Sequence, residues 1–151
     1  MIGLIIVAHG NLGHELLAAA EIIAGEQDSV ATIGLHPEDA ISDLPRRILE
    51  AKAGLSDTNA VLVLVDLFGG SPGNTAMRCL ADDHSFELLS GVNLPMLLEV
   101  LMGRDTMSME ELVATAIEAG QTGIRDLGAI LRQATIQQGS PATCTTPSEG
   151  E

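Results

Sequence analysis

Two segments of this chain are apolar at almost every position, and each has the length of a single strand. One is Met1-Ile2-Gly3-Leu4-Ile5-Ile6-Val7-Ala8; the other is Asn59-Ala60-Val61-Leu62-Val63-Leu64-Val65. A strand with one wet face alternates apolar and polar residues. A strand apolar at both parities has both faces covered, which is the condition of a central strand in a parallel sheet. Helical patterns fill the intervals. Asn11 stands as N-cap before Leu12, Leu16, Leu17 and Ala20, and the helix runs to about Ile23 with Gly25 as its stop. Residues 29–35 read as a second strand. A helix opens at Pro37-Glu38-Asp39, carries Ile41, Leu44, Ile48 and Leu49, and ends near Gly54, with Pro45 in its early turns.

Beyond the second apolar run, Ser71 caps a helix that begins at Pro72 and carries Ala76, Met77 and Leu80. Residues 85–90 read as a fourth strand, followed by an apolar helix over 96–102. Ser108 and Glu111 make a capping box for a fifth helix ending near Gly120. Residues 122–127 read as a short edge strand in preference to a continued helix. From Gln133 the chain turns to Gln, Gly, Ser, Thr, Pro and Glu, a composition that cannot bury a core. The expected organisation is one domain over 1–132 and a disordered polar tail over 133–151. Alternating strands and helices give an α/β fold: an open, mostly parallel sheet with helices on both faces, in the flavodoxin-like order 2-1-3-4. In that order the carboxyl ends of strands one and three are neighbours.

Composition narrows the function. The 151 residues include 21 acids against 7 bases, a formal charge of −14. That balance disfavours binding to nucleic-acid phosphates or anionic membranes. Aromatic residues are 1% of the chain, only Phe68 and Phe86, so the core must be aliphatic. Cys79 and Cys144 have no zinc-ligand spacing and suit a reducing compartment. No basic leader precedes the first strand, and no apolar run approaches the roughly 20 residues of a membrane helix. A cytoplasmic protein without membrane insertion is expected.

The chemistry gathers at two strand ends. His9 follows the first apolar run, at a strand-to-helix turn of the kind that binds ligands in open α/β sheets. Asp66 follows the second. A carboxylate that accepts from one imidazole nitrogen fixes the tautomer and makes the other nitrogen the better nucleophile. Gly69-Gly70-Ser71 leads into a helix start, with a backbone free to turn tightly and a hydroxyl at hand, which makes an anion cradle. No lysine accompanies it, so it is not a Walker loop. Two rival histidine chemistries fit less well. Histidine phosphatases and phosphoglycerate mutases need an arginine before the histidine, where this chain has Ala8. Sirohydrochlorin-type chelatases need a second histidine ligand with an acid; His14, His36 and His84 are the candidates, and none is placed by the pattern beside His9. No metal and no cofactor are expected.

The ordered motifs Val7-Ala8-His9-Gly10-Asn11, Gly25-Glu26-Gln27, Val65-Asp66-Leu67-Phe68-Gly69-Gly70-Ser71-Pro72 with Asn74, and Gly91-Val92-Asn93-Leu94-Pro95-Met96-Leu97 resemble the enzyme IIA domain of the mannose-family phosphotransferase system, over roughly 2–130. The resemblance implies a phosphotransferase acting through phosphohistidine. His9 would take phosphate from phospho-HPr and pass it to a histidine of an enzyme IIB. Asp66 would orient His9, Gly69, Gly70 and Ser71 would face the phosphate, and Gly10, Asn11, Gly91 and Asn93 would lie near it. It also implies a homodimer that exchanges a C-terminal antiparallel edge strand. Gly73 departs from the family, which often has Phe there, and the short polar tail in place of a linker to a IIB domain implies that the IIB partner is a separate protein or absent. Dihydroxyacetone kinase phosphodonor subunits share the fold and the histidine but usually lack Gly-Gly-Ser-Pro. The alternative is a regulatory protein of an incomplete phosphotransferase system, whose phosphorylation state controls a partner. The sugar is not legible in this chain.

Overall fold

The computed structural model describes residues 1–82 and 86–138. Four parallel strands form one sheet in the order β2-β1-β3-β4: β1 (Ile2–His9), β2 (Val30–Leu35), β3 (Ala60–Val65) and β4 (Glu87–Ser90). The helices are α1 (Leu12–Ala24), α2 (Leu44–Gly54), α3 (Ser71–Asp82), α4 (Leu94–Gly103), α5 (Met109–Thr122) and α6 (Leu127–Gln138). Among the described residues no helix is long and apolar enough to cross a membrane.

The doubly apolar strands do what their pattern requires. Successive side chains of β1 enter opposite layers. Ile2, Leu4 and Ile6, with Leu62 and Leu64 of β3, pack under α1, α4 and α5 against Ala20, Leu97, Val100, Leu112 and Ala116. Ile5 and Val7, with Val61, Val63 and Val65, pack under α2 and α3 against Leu44, Ile48, Ala76 and Cys79. Phe86 is the one aromatic side chain in these two layers, and it is buried, whereas Phe68 is 80% exposed. The β1–β3 register pairs Val7 with Val65, so β1 runs two residues past the end of β3 and brings its last residue, His9, against Asp66.

Local chemistry moves several boundaries. Helix α2 starts at Leu44, later than 37–39, because Pro45 has no N–H and fits only a first turn. Asn11 precedes α1, but its side chain makes no capping bond: at φ −92°, ψ 5° it lacks the extended geometry of a capping residue. Helix α3 begins at Ser71 itself. Asn93 caps α4 by accepting from the Met96 amide at 3.0 Å, and the Ser108–Glu111 capping box is formed.

The largest correction is at 122–127. No edge strand forms there. Helix α5 continues to Thr122, whose hydroxyl donates to the Glu118 carbonyl at 2.8 Å, and a short connection leads into α6. Four residues with one isoleucine carry too little alternation to choose a strand without a partner. Helix α6 also runs through 133–138, where a tail was expected; the rest of that tail, with Cys144, lies outside the described residues.

At the opposite end of the strands, Arg104 is buried after α4. Its guanidinium donates to the carbonyls of Asp28 at 2.6 Å and Ser29 at 3.4 Å and to Oε1 of Gln27 at 3.1 Å. The Gly25-Glu26-Gln27 segment is thus part of the frame. Stability should follow burial. Leu64→Ala is expected to cost about 2–5 kcal/mol in urea unfolding. Ile22→Ala, on a side chain 87% exposed, should stay within about 0.5 kcal/mol.

Candidate active site at the carboxyl ends of β1 and β3

The chain leaves β1 toward β2 and leaves β3 toward β4, so the two loops part and open a crevice between them. His9, the last residue of β1, stands on one lip with half of its side chain exposed. Asp66 stands on the other with only 9% of its side chain exposed. Their contact is double. Oδ2 of Asp66 accepts the His9 backbone N–H at 2.9 Å and lies 2.8 Å from ring Nδ1. Two donors from one residue fix both the main chain and the ring. An ionised Asp66 holds the proton on Nδ1 and leaves the Nε2 lone pair free.

Burial pushes the Asp66 carboxyl up, but the hydrogen bonds from the His9 amide and ring, with the charge of the ring, outweigh it and hold the group below the ordinary carboxylate range. Its other oxygen, Oδ1, is buried with no hydrogen-bond partner among the described residues. Such a group costs about 1–3 kcal/mol.

The diglycine lies along the ring. Gly69 has φ +77°, in the left-handed region that glycine adopts without steric cost. A side chain at Gly70 would begin 3.2 Å from Cε1 of His9, the ring atom between the two nitrogens. The ring edge thus runs from Asp66 toward Gly70 and the start of α3. The Gly70 carbonyl accepts from the Asn74 amide at 2.9 Å, and Asn74 Nδ2 donates to the Gly69 carbonyl at 3.2 Å. The first turn of a helix offers N–H groups without helical acceptors, and its dipole favours an anion.

The remaining sequence candidates divide. Gly10 turns the chain at φ +54° and donates to the Leu35 carbonyl at 2.8 Å. Gly91 donates to the Val65 carbonyl at 2.9 Å, which brings it to the root of Asp66. Asn11 is exposed beside the turn. Asn93 spends its side chain on the α4 cap and on the Gly120 carbonyl, at 3.1 Å. His14 is exposed on α1, and His84 lies outside the described residues. His36 is different: with His9, Gly10, Leu35, Pro37, Asp39 and Ile41 it lines one cavity of about 600 Å³. A second cavity of about 300 Å³, lined by Val65, Phe68, Gly69, Gly73, Met77, Leu88 and Ser90, lies on the β4 side. Nothing in the local sequence around His36 signals this; only the β1–β2 register, which pairs His9 with Leu35, does. Among the described residues, no group of three or more His, Cys, Asp or Glu is arranged to hold a metal ion.

The family model described as the PTS system fructose IIA component, of the mannose-type enzyme IIA family, matches residues 3–117. The chain belongs to this family. It is 42% identical over 129 residues to the PTS system mannose-specific EIIAB component of Escherichia coli K12, a match that covers 85% of this chain and only 40% of that relative. To the PTS system fructose-specific EIIA component of Bacillus subtilis it is 34% identical, over 75% of this chain and 77% of the relative. The crystal structure of the EIIA component from Streptococcus agalactiae superposes with a TM-score of 0.78 at 32% identity, covering 85% of this chain and 99% of that one.

In this enzyme IIA chain the depressed carboxyl of Asp66 has a measurable consequence. A carboxylate lowered by folding contributes stability above its unfolded value of about 3.9 and loses it as pH falls through the folded value. Asp66→Asn should therefore flatten the acid side of the stability curve, below about pH 5, and leave its slope at neutral pH unchanged. Urea unfolding across that range checks it; parallel curves for the two proteins would contradict the assignment.

Proposed function

We propose that the protein is a phosphohistidine carrier of the sugar phosphotransferase system, acting in the cytoplasm. His9 accepts phosphate from phospho-HPr and passes it to a histidine of an enzyme IIB. The observation that carries this reading is the double contact between His9 and Asp66 beside the Gly69–Ser71 helix start. Family membership supports the reading at the level of the phosphotransferase system.

The lone pair on Nε2 attacks phosphorus, the P–N bond to the donor histidine breaks, and the donor imidazole leaves with its electron pair. As the new N–P bond forms, positive charge develops on the His9 ring. Asp66, bonded to Nδ1–H, stabilises that charge and keeps the ring aimed. On this reading Gly69, Gly70 and Ser71 form the cradle for the phosphoryl oxygens, with main-chain amides at the start of α3 bearing the charge. Transfer to enzyme IIB is the same displacement with His9 as leaving group. Since an N–P bond is exchanged for an N–P bond, neither step is steeply downhill. Gly10, Asn11 and Gly91 shape the rim against which donor and acceptor dock, and Asn93 holds α4 beside it.

The protein is further proposed to act as a homodimer. In support, Ile124, Leu127, Ile130, Leu131 and Ile136 are exposed on and before α6, an apolar surface that a second copy would cover.

Purified protein incubated with phospho-HPr should gain one acid-labile phosphate, and His9→Ala should gain none; retained label in that variant would sink the assignment. Asp66→Asn should stay folded and transfer phosphate roughly 10- to 100-fold more slowly, read by rapid quench.

A further inference from the structure

Gly34 stands one residue before the end of β2 and pairs with Ala8 of β1. Where a side chain at this position would begin, two other groups already lie. A Cβ built on Gly34 overlaps the carbonyl oxygen of Gly10 and comes to 3.1 Å from Nε2 of His36. The imidazole is the free end of a flexible side chain and gives way easily. The Gly10 oxygen is main chain, and Gly10 is the residue after His9.

The strand cannot withdraw to make room. The β1–β2 ladder holds it along its length, and the Gly10 amide holds the Leu35 carbonyl at 2.8 Å. From the other side, Arg47 of α2 donates to the Gly34 carbonyl at 2.9 Å. The same guanidinium reaches Oδ2 of Asp39 at 3.3 Å, and that oxygen also accepts the His36 amide at 2.8 Å. Arg47 and Asp39 therefore bracket the whole 34–39 segment, the wall of the cavity that faces His9.

We propose that Gly34 is a positioning residue for His9. Its missing side chain lets the Gly10 carbonyl lie flat against β2, and Arg47 pins the strand end so that this fit sets the turn. A side chain at 34 pushes the Gly10 carbonyl outward and rotates the Gly10–Asn11 peptide, which displaces the turn that leaves His9. Because the His9 amide and ring share one oxygen of Asp66, that rotation pulls on the contact that fixes the tautomer. Gly34 acts through Gly10 and touches neither the ring nor the phosphate. The inference rests on the phosphocarrier reading for its effect on rate, but not for its effect on His9.

The test compares wild type, Gly34→Ala, Arg47→Gln and the double variant. Two quantities are read: the ¹⁵N chemical shifts of the His9 imidazole in unphosphorylated protein, and the initial rate of labelling by phospho-HPr. Gly34→Ala, folded by circular dichroism, is expected to show His9 shifts moved toward a mixture of tautomers and labelling slowed about 10- to 100-fold. Releasing the strand end in the double variant should restore part of both. Wild-type shifts and rate in Gly34→Ala overturn the proposal, as does slowed labelling with unmoved shifts, or the absence of any recovery in the double variant. If Gly34→Ala alone does not fold, the double variant is read against Arg47→Gln: displaced His9 shifts support the proposal, and unmoved shifts overturn it. A wild-type protein that takes no label removes the phosphocarrier reading, while the imidazole shifts still decide the role of Gly34.

Discussion

One carboxylate oxygen organises this protein's candidate site. Oδ2 of Asp66 receives the amide and lies against the ring nitrogen of the same histidine. The pair exists because β1 runs two residues past the end of β3, a stagger set by the ladder in which Val7 and Val65 face each other and are both buried. A slip of one residue would send every side chain of one strand to the wrong layer. The aliphatic core therefore fixes the register, and the register fixes the distance between a histidine and an aspartate that are 57 residues apart in sequence.

The parts of this arrangement that depend on local pattern were legible. Two apolar runs named the central strands, and turn residues at their ends named His9, Asp66 and the diglycine. A standard strand order then made the two loops neighbours. What was not legible depends on side chains reaching across the fold. Gln27 reads as a motif residue, but its partner is Arg104, far along the chain. His36 reads as one more loop histidine until the β1–β2 pairing lays it beside the cavity. Asn11 occupies a cap position, but a cap also needs an extended backbone, and its φ and ψ are not written in the residue type. The segment 122–127 failed for a related reason: a strand is defined by its neighbour, and a single chain provides none there.

Sterics, more than charge, shape the neighbourhood of His9. A side chain at Gly70 would crowd the imidazole, one at Gly73 would begin 3.0 Å from the Leu67 carbonyl, and one at Gly34 would displace Gly10. Only the first of these meets the histidine itself; the other two leave room for the main chain on either side of it.

The cavity that His9 lines has no lysine or arginine among its described lining residues. On the proposed chemistry this omission is an asset. A relay must release its cargo as readily as it takes it up. A cation within contact distance would deepen the resting place of a doubly charged phosphoryl group and lengthen its stay. Amides and a hydroxyl offer a shallower hold. On the proposed reading the acidic chain would serve as a way-station, with the residence time of the phosphoryl group set by the arrival of the next partner.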